Sequence, residues 1–203
     1  MAMSSALFLS LLPLASYAFV MSITPGPNNL LLASSGLRFG FAKTVPHWLG
    51  INAGFITLLI LCSIGVGALI AKIPMLALGL KAFGTIYLLG LAWVIRFNTY
   101  EIDDVDAGKP IGFIAAALFQ FVNPKAWVMT ISASSAFLPN LEPHWLAITL
   151  FVSTFIIVGM PCGAAWLLTG VSLKRVLNSP RARSISAWIM LLLILASAVG
   201  IWF

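Results

Sequence analysis

Two short stretches hold most of the chemistry this chain can offer: Thr24-Pro25-Gly26-Pro27-Asn28-Asn29 and Asn123-Pro124-Lys125. Each sets proline beside hydrogen-bonding side chains within apolar surroundings. Proline lacks the amide hydrogen that would bond to residue i−4, and its ring clashes there. Pro25 and Pro27 therefore free the carbonyls of Met21 and Ile23, and Pro124 frees that of Gln120. Gly26 permits backbone angles that other residues avoid. A helix restarting at Pro27-Asn28 presents unpaired amides with partial positive charge. Such amides suit a carboxylate and freed carbonyls suit an ammonium, so a zwitterionic amino acid matches both. A lone proline in an apolar helix is more simply a kink satisfied by Ser or Thr neighbours. The pairing of two breaks, with Asn28, Asn29, Asn123 and Lys125 gathered at them, favours a binding or gating role.

The remaining polar side chains are few. Lys125 lies in an apolar run with no acid near it in sequence, so its expected partners are the carbonyls around Gln120 and Phe121 or a substrate carboxylate. Asn52 is the one strongly polar group in Gly50-Ile51-Asn52-Ala53-Gly54-Phe55. His47, beside Trp48, and Lys81 are candidates for proton coupling, because histidine titrates near neutrality. The plainer readings are an interfacial anchor for His47 and a lysine reaching towards headgroups for Lys81. His144 beside Trp145 reads as an anchor too. Cys62 and Cys162 match no metal-ligand or disulfide spacing. No nucleotide loop or metal cluster is expected, nor any nucleophile with a base in reach, so neither cofactor nor enzymatic activity is expected.

These residues must be positioned by membrane helices. Of 203 residues, 61% are hydrophobic and 8% charged, with a mean hydropathy of +1.07; a soluble domain carries roughly 25% charged residues. At ~20 residues per span the chain has room for about six spans, and length excludes a separate soluble domain. Apolar runs place them near 6–23, 48–71, 75–95, 112–138, 145–170 and 184–203. Alternating ten-residue segments of a membrane β-barrel are absent. Ser16-Tyr17-Ala18 resembles a cleavage site, but no Lys or Arg precedes it and the run continues to Ile23.

The net charge of +6 reads as topology rather than nucleic-acid binding. Arg38 and Lys43 fall in the first expected loop, Arg96 and Lys109 in the third, and Lys174, Arg175, Arg181 and Arg183 in the fifth. Positive charge holds loops in the cytoplasm, so both termini are expected outside. Glu101, Asp103, Asp104 and Asp106 cluster in the third loop and Glu142 lies in the fourth, leaving the spans without a carboxylate. The third loop, 98–109, divides a single transporter domain into halves of about 1–97 and 110–203. Three spans each would make related halves inverted, the arrangement that places a site at discontinuous helices between them. Pro25 and Pro124 stand 99 positions apart. Gly50, Gly54, Gly65, Gly67, Gly84 and Gly90 read as helix-packing contacts.

The opening motif, followed by Ser34-Ser35-Gly36 and Phe39-Gly40-Phe41, resembles the LysE/RhtB family of bacterial amino-acid exporters. The similarity continues through Pro46, Gly50 and Gly54, through Lys81-Ala82-Phe83-Gly84-Thr85-Ile86-Tyr87-Leu88-Leu89-Gly90 and Leu91-Ala92-Trp93, and through Phe119-Gln120-Phe121-Val122-Asn123-Pro124-Lys125-Ala126. The resemblance implies a multi-pass secondary transporter of the bacterial inner membrane, exporting amino acids under the proton motive force. Lysine and arginine exporters of the family carry an acidic residue early in the second span, where this chain has Asn52. A neutral amino acid or derivative is therefore the expected cargo, with Pro25, Gly26, Pro27, Asn28, Asn29, Asn52, Asn123, Pro124 and Lys125 as the candidate binding or gating residues. Expected partners are the cargo, the lipid bilayer and protons, not nucleic acid; a homo-oligomer is left open. A small uncoupled channel, an exporter of some other metabolite and an accessory subunit are the rival readings.

Overall fold

Proline and glycine decide where the helices begin and end. The computed structural model describes residues 2–98, 109–176, 180–200 and 202. Helix α1 (Ala2–Ile23) stops at Thr24-Pro25-Gly26, and Pro27, which needs no amide hydrogen in a first turn, opens α2 (Pro27–Ser63). A short α3 (Val66–Ala71) and α4 (Pro74–Asn98) follow. In the second half, α5 (Phe113–Phe119) passes through a single 3₁₀ turn at Gln120–Val122 into α6 (Pro124–Phe137), and α7 (His144–Val176) and α8 (Pro180–Gly200) complete the chain. The described residues include no strand.

The helical fold and the two breaks agree with the sequence reading, but the first loop does not. The segment expected to connect spans one and two, with Arg38 and Lys43, belongs to α2. Its Leu30-Leu31-Leu32-Ala33 run and Leu37 are buried, which outweighs Ser34, Ser35 and Arg38 in keeping it helical. Gly40 interrupts α2 with φ 79° and ψ 179°, backbone angles that residues with a β-carbon avoid. Thr44 spans this kink, donating to the Gly40 carbonyl at 2.8 Å and pairing with the Ser35 hydroxyl at 3.0 Å. The second expected span also ends early, at Ser63, because Gly65 turns the chain with φ 99° before α3.

Pro27–Ser63 and His144–Leu173 are long and apolar enough to cross a membrane, and α5 with α6, bent by 68° at the break, makes a third such unit. The acidic cluster Glu101, Asp103, Asp104 and Asp106 lies outside the described residues.

Helices α2 and α7 form the spine, with α5 and α6 against α2, α1 against α7, and α4 against α8. Small residues allow this approach, as in membrane bundles generally. A β-carbon on Gly36 would run into the Leu167 carbonyl, and one on Gly170 into the Ala33 backbone. Gly50 and Gly54 give the same contact to the Phe113 and Ala117 carbonyls of α5, Gly84 gives it to Pro124, and Gly67 lies against Ile131 and Cys62. The other two expected packing glycines serve otherwise: Gly65 makes the turn, and Gly90 faces open space. Around the spine, Leu14, Leu59, Phe151 and Phe155 fill one core cluster and Leu32, Ile51, Ala116 and Leu167 another.

Candidate functional site

The two breaks meet. Lys125, in the first turn of α6, extends to the C-terminal end of α1, where its Nζ donates to the Thr24 carbonyl at 3.0 Å, the Thr24 hydroxyl at 3.0 Å and the Pro25 carbonyl at 3.1 Å. An ammonium has three donors, and these neutral oxygens occupy all of them. The Thr24 hydroxyl in turn donates to the Met21 carbonyl at 3.1 Å. Gly26 makes room for this crossing: a β-carbon there would lie 2.8 Å from Lys125 Cδ and 3.0 Å from its Nζ. Its own backbone is extended (φ −176°, ψ 175°), so the position needs the missing side chain and not unusual torsions.

The freed carbonyls are each claimed. Met21 accepts from Thr24, Ile23 accepts from the Trp166 indole at 3.0 Å, and Gln120 accepts from the Asn123 amide at 3.3 Å. The Phe121 carbonyl takes the Trp127 indole at 2.8 Å. Lys125 therefore pairs with the other break, not with Gln120 and Phe121 as its sequence neighbourhood suggested. Unpaired backbone groups are costly in an apolar medium, which is why these tryptophans point where they do.

A second bridge runs between the breaks. Asn28 Nδ2 donates to Gln120 Oε1 at 2.8 Å, and Gln120 Nε2 donates back to Asn28 Oδ1 at 3.0 Å and to the Ala116 carbonyl at 3.1 Å. Asn29 turns inward, donating to the carbonyls of Ser22 and Thr24, both at 2.8 Å. Asn123 caps α6 by accepting from the Lys125 amide at 3.1 Å, whereas α2 starts with no side-chain cap. Of the two helix restarts, that of α2 is the one left open.

A cavity of about 80 Å³ lies against these groups, lined by Gly26, Pro27, Asn28, Asn29, Asn52, Asn123 and Lys125 together with Trp48, Phe55 and residues of α7. Among the described residues no carboxylate lines it. Asn52 donates to the Trp48 carbonyl at 2.7 Å, leaving its amide oxygen without a described partner. The three remaining break residues, Thr24, Pro25 and Pro124, border a second cavity of about 430 Å³, which Pro27 and Lys125 also line and which takes in Lys81.

Four contributors were not assigned from sequence: Thr24, Gln120, Trp48 and the α7 face of Phe155, Gly159 and Gly163. The spacing of Gly159 and Gly163, one turn apart in an apolar helix, was the available signal; Trp48 packs against Gly163 and donates to the Met160 carbonyl at 3.3 Å. His47 departs from its expected place. It is buried at 1% exposure and borders neither cavity, and its Nδ1 has no hydrogen-bond partner, so it is not an anchor at a helix mouth. His144, by contrast, is exposed at the start of α7 beside an exposed Trp145.

Apolar helices of spanning length, broken where polar groups converge on a cavity, define a helical membrane protein built around a small chamber with its polar groups at the breaks. The chain belongs to the LysE type translocator family, which it matches over residues 19–202. It is 32% identical over 183 residues to the cysteine/O-acetylserine efflux protein of Escherichia coli O139:H28 (strain E24377A / ETEC), covering 88% of this chain and 91% of the relative. The protein of that name from Escherichia coli strain K12 is 31% identical over 164 residues (79% and 82% of the two chains). The one from Klebsiella pneumoniae is 32% identical over 163 residues (79% and 81%). No solved structure matches the chain.

Proposed function

We propose that this protein exports a small neutral amino acid, or a derivative of one, from the cytoplasm across the bacterial inner membrane. The observation that carries the reading is the Lys125 bridge: a lysine held by three neutral oxygens of the opposite break, beside a cavity without acid. A carboxylate entering that cavity offers Lys125 a charged acceptor, and hydrogen bonds between two charged groups are the stronger kind. The uncapped start of α2 favours the same negative group. Asn28, Asn29, Asn52 and Asn123 supply neutral donors and acceptors for the cargo's ammonium and side chain. A cationic side chain would find no countercharge among the lining residues, which disfavours lysine and arginine. The relatives are named for efflux of cysteine and O-acetylserine, small neutral amino acids of this kind.

In this reading six spans form two inverted halves, 1–97 and 110–203, around the cytoplasmic loop 98–109, with both termini outside. The halves alternate access by exchanging the Lys125 contacts at the breaks. The proton motive force drives export, with His47 and Lys81 as the titratable candidates.

The test is purified protein in liposomes under an imposed pH gradient, with labelled threonine, homoserine, cysteine, leucine and lysine. Saturable, gradient-dependent movement of neutral members is expected. Preferential movement of lysine, or flux of all members without saturation, overturns the reading.

A further inference from the structure

The second cavity lies on the far side of the same breaks, and its lining differs in kind. The break residues divide between the two: Gly26, Asn28, Asn29 and Asn123 border the smaller cavity, Thr24, Pro25 and Pro124 border the larger, and Pro27 borders both. Lys125 borders both. The breaks and Lys125 together are thus a thin wall between two chambers. At about 430 Å³ the larger falls within the usual range for small-molecule pockets.

Among the described residues, two lysines and no carboxylate line this chamber. The Lys125 ammonium is committed to Thr24 and Pro25, but Lys81 is not spent in this way. Its Nζ has no acid among the described residues and stands 6.0 Å from the centre of the Trp202 ring. That ring is fixed in turn: the Trp202 indole donates to the Thr85 hydroxyl at 3.0 Å, and Thr85, one turn from Lys81 on α4, donates to the Lys81 carbonyl at 2.8 Å. Lys81 is therefore held at a built corner, and a cation over an aromatic face keeps its donors free for an anion. Met21, Val128 and Leu193 supply an apolar wall within the same chamber.

The geometry points to a second, separate binding site here, taking a small organic monocarboxylate. Its carboxylate sits on Lys81 at the Trp202 corner, and its apolar body lies against Met21, Val128 and Leu193. The anionic group could come from a free carboxylate or from a lipid phosphate; the volume of about 430 Å³, suited to a small molecule, and the apolar wall beside Lys81 favour the free carboxylate. The site goes beyond export of a neutral amino acid, since it asks for a negative group and an apolar body but no ammonium.

Butyrate and its neutral isostere butyramide test the site by calorimetry, with the full chain in discs of zwitterionic lipid and no gradient. Butyrate is expected to bind at least about tenfold more tightly than butyramide, the worth of a hydrogen bond to a charged group. Lys81→Gln is expected to remove that preference and Lys81→Arg to restore most of it. Ala196→Trp, which fills the chamber from α8, is expected to abolish binding of both. Equal binding of the two probes, or butyrate affinity unchanged in Lys81→Gln, overturns the site. In discs containing phosphatidylglycerol, butyrate affinity is expected to be unchanged; its loss there overturns the assignment in favour of a lipid headgroup. Because this readout needs no transport, butyrate binding without amino-acid flux removes the export reading alone, and flux without binding removes this site alone.

Discussion

The ammonium of Lys125 lies 3.0 Å from the Thr24 carbonyl, joining residues 101 positions apart and tying the end of α1 to the start of α6. It satisfies the Thr24 and Pro25 carbonyls where α1 ends, and it does so with a charge instead of a neutral donor. In the proposed transport cycle this bond is exchanged for one to the cargo's carboxylate.

Lys125→Met keeps the aliphatic stem and deletes the charge. Export of a neutral amino acid is expected to fall by about tenfold or more, since a hydrogen bond to a charged group contributes about 1.5–3 kcal/mol. Liposome flux, normalised to the amount of inserted protein, checks this. Wild-type flux from the variant would remove Lys125 from the mechanism.

The reciprocal amide pair of Asn28 and Gln120 is expected to be strongly coupled. Asn28→Leu takes one partner from the buried Gln120 amide and Gln120→Leu leaves the half-buried Asn28 amide unpaired, each at a cost of about 1–3 kcal/mol. The double variant removes both partners together, so its destabilisation is expected to be at least about 0.5 kcal/mol less than the sum of the singles. Denaturant unfolding in detergent measures the cycle, and additive effects would show that the pair contributes nothing jointly.

Glycine substitutions are expected to change sign with position. Gly170→Ala forces a β-carbon into the Ala33 backbone, and overpacking of this kind costs about 1–3 kcal/mol. Gly90 is helical with open space around it, so Gly90→Ala is expected to stabilise by about 0.4–1 kcal/mol by restricting the unfolded chain. Thermal unfolding of both variants in one detergent separates the two outcomes.

Asn52→Asp places a carboxylate in a cavity that has none. The ratio of lysine to threonine flux is expected to rise by roughly tenfold, equivalent to about 1.4 kcal/mol of discrimination. A ratio unchanged in a variant that still transports threonine would show that cargo does not reach Asn52.

Which parts of this architecture could be read from sequence follows from the range of the forces involved. The break at Pro124 was legible because proline and its Asn123 cap act within a few residues. Membrane residence was legible because composition integrates over the whole chain. The run of α2 from Pro27 into the second expected span was not, since Ser34, Ser35 and Arg38 lower local hydropathy while the burial of Leu30 against α4 and α8 and of Leu32 against α7 is tertiary. The Lys125 partner was missed for the same reason: nothing near residue 125 records that Thr24 will arrive beside it. Gln120 drew attention only for its carbonyl, although its side chain makes the more informative contact. His47 read as interfacial because Trp48 follows it, but the helix turns them apart, His47 into the interior and Trp48 to the cavity.

The wall formed by Lys125 also has an electrical meaning. Its acceptors are uncharged, so the lysine stands between the chambers as a net positive charge with no compensating carboxylate among the lining residues. One elementary charge carried across the full membrane potential is worth about 2.3 kcal/mol per 100 mV. Any rearrangement that shifts this ammonium along the membrane normal therefore does electrical work, even with a cargo whose own charges cancel. In the proposed cycle voltage alone would then bias the position of Lys125, and its movement would appear at an electrode as a transient charge displacement even with a zwitterionic cargo.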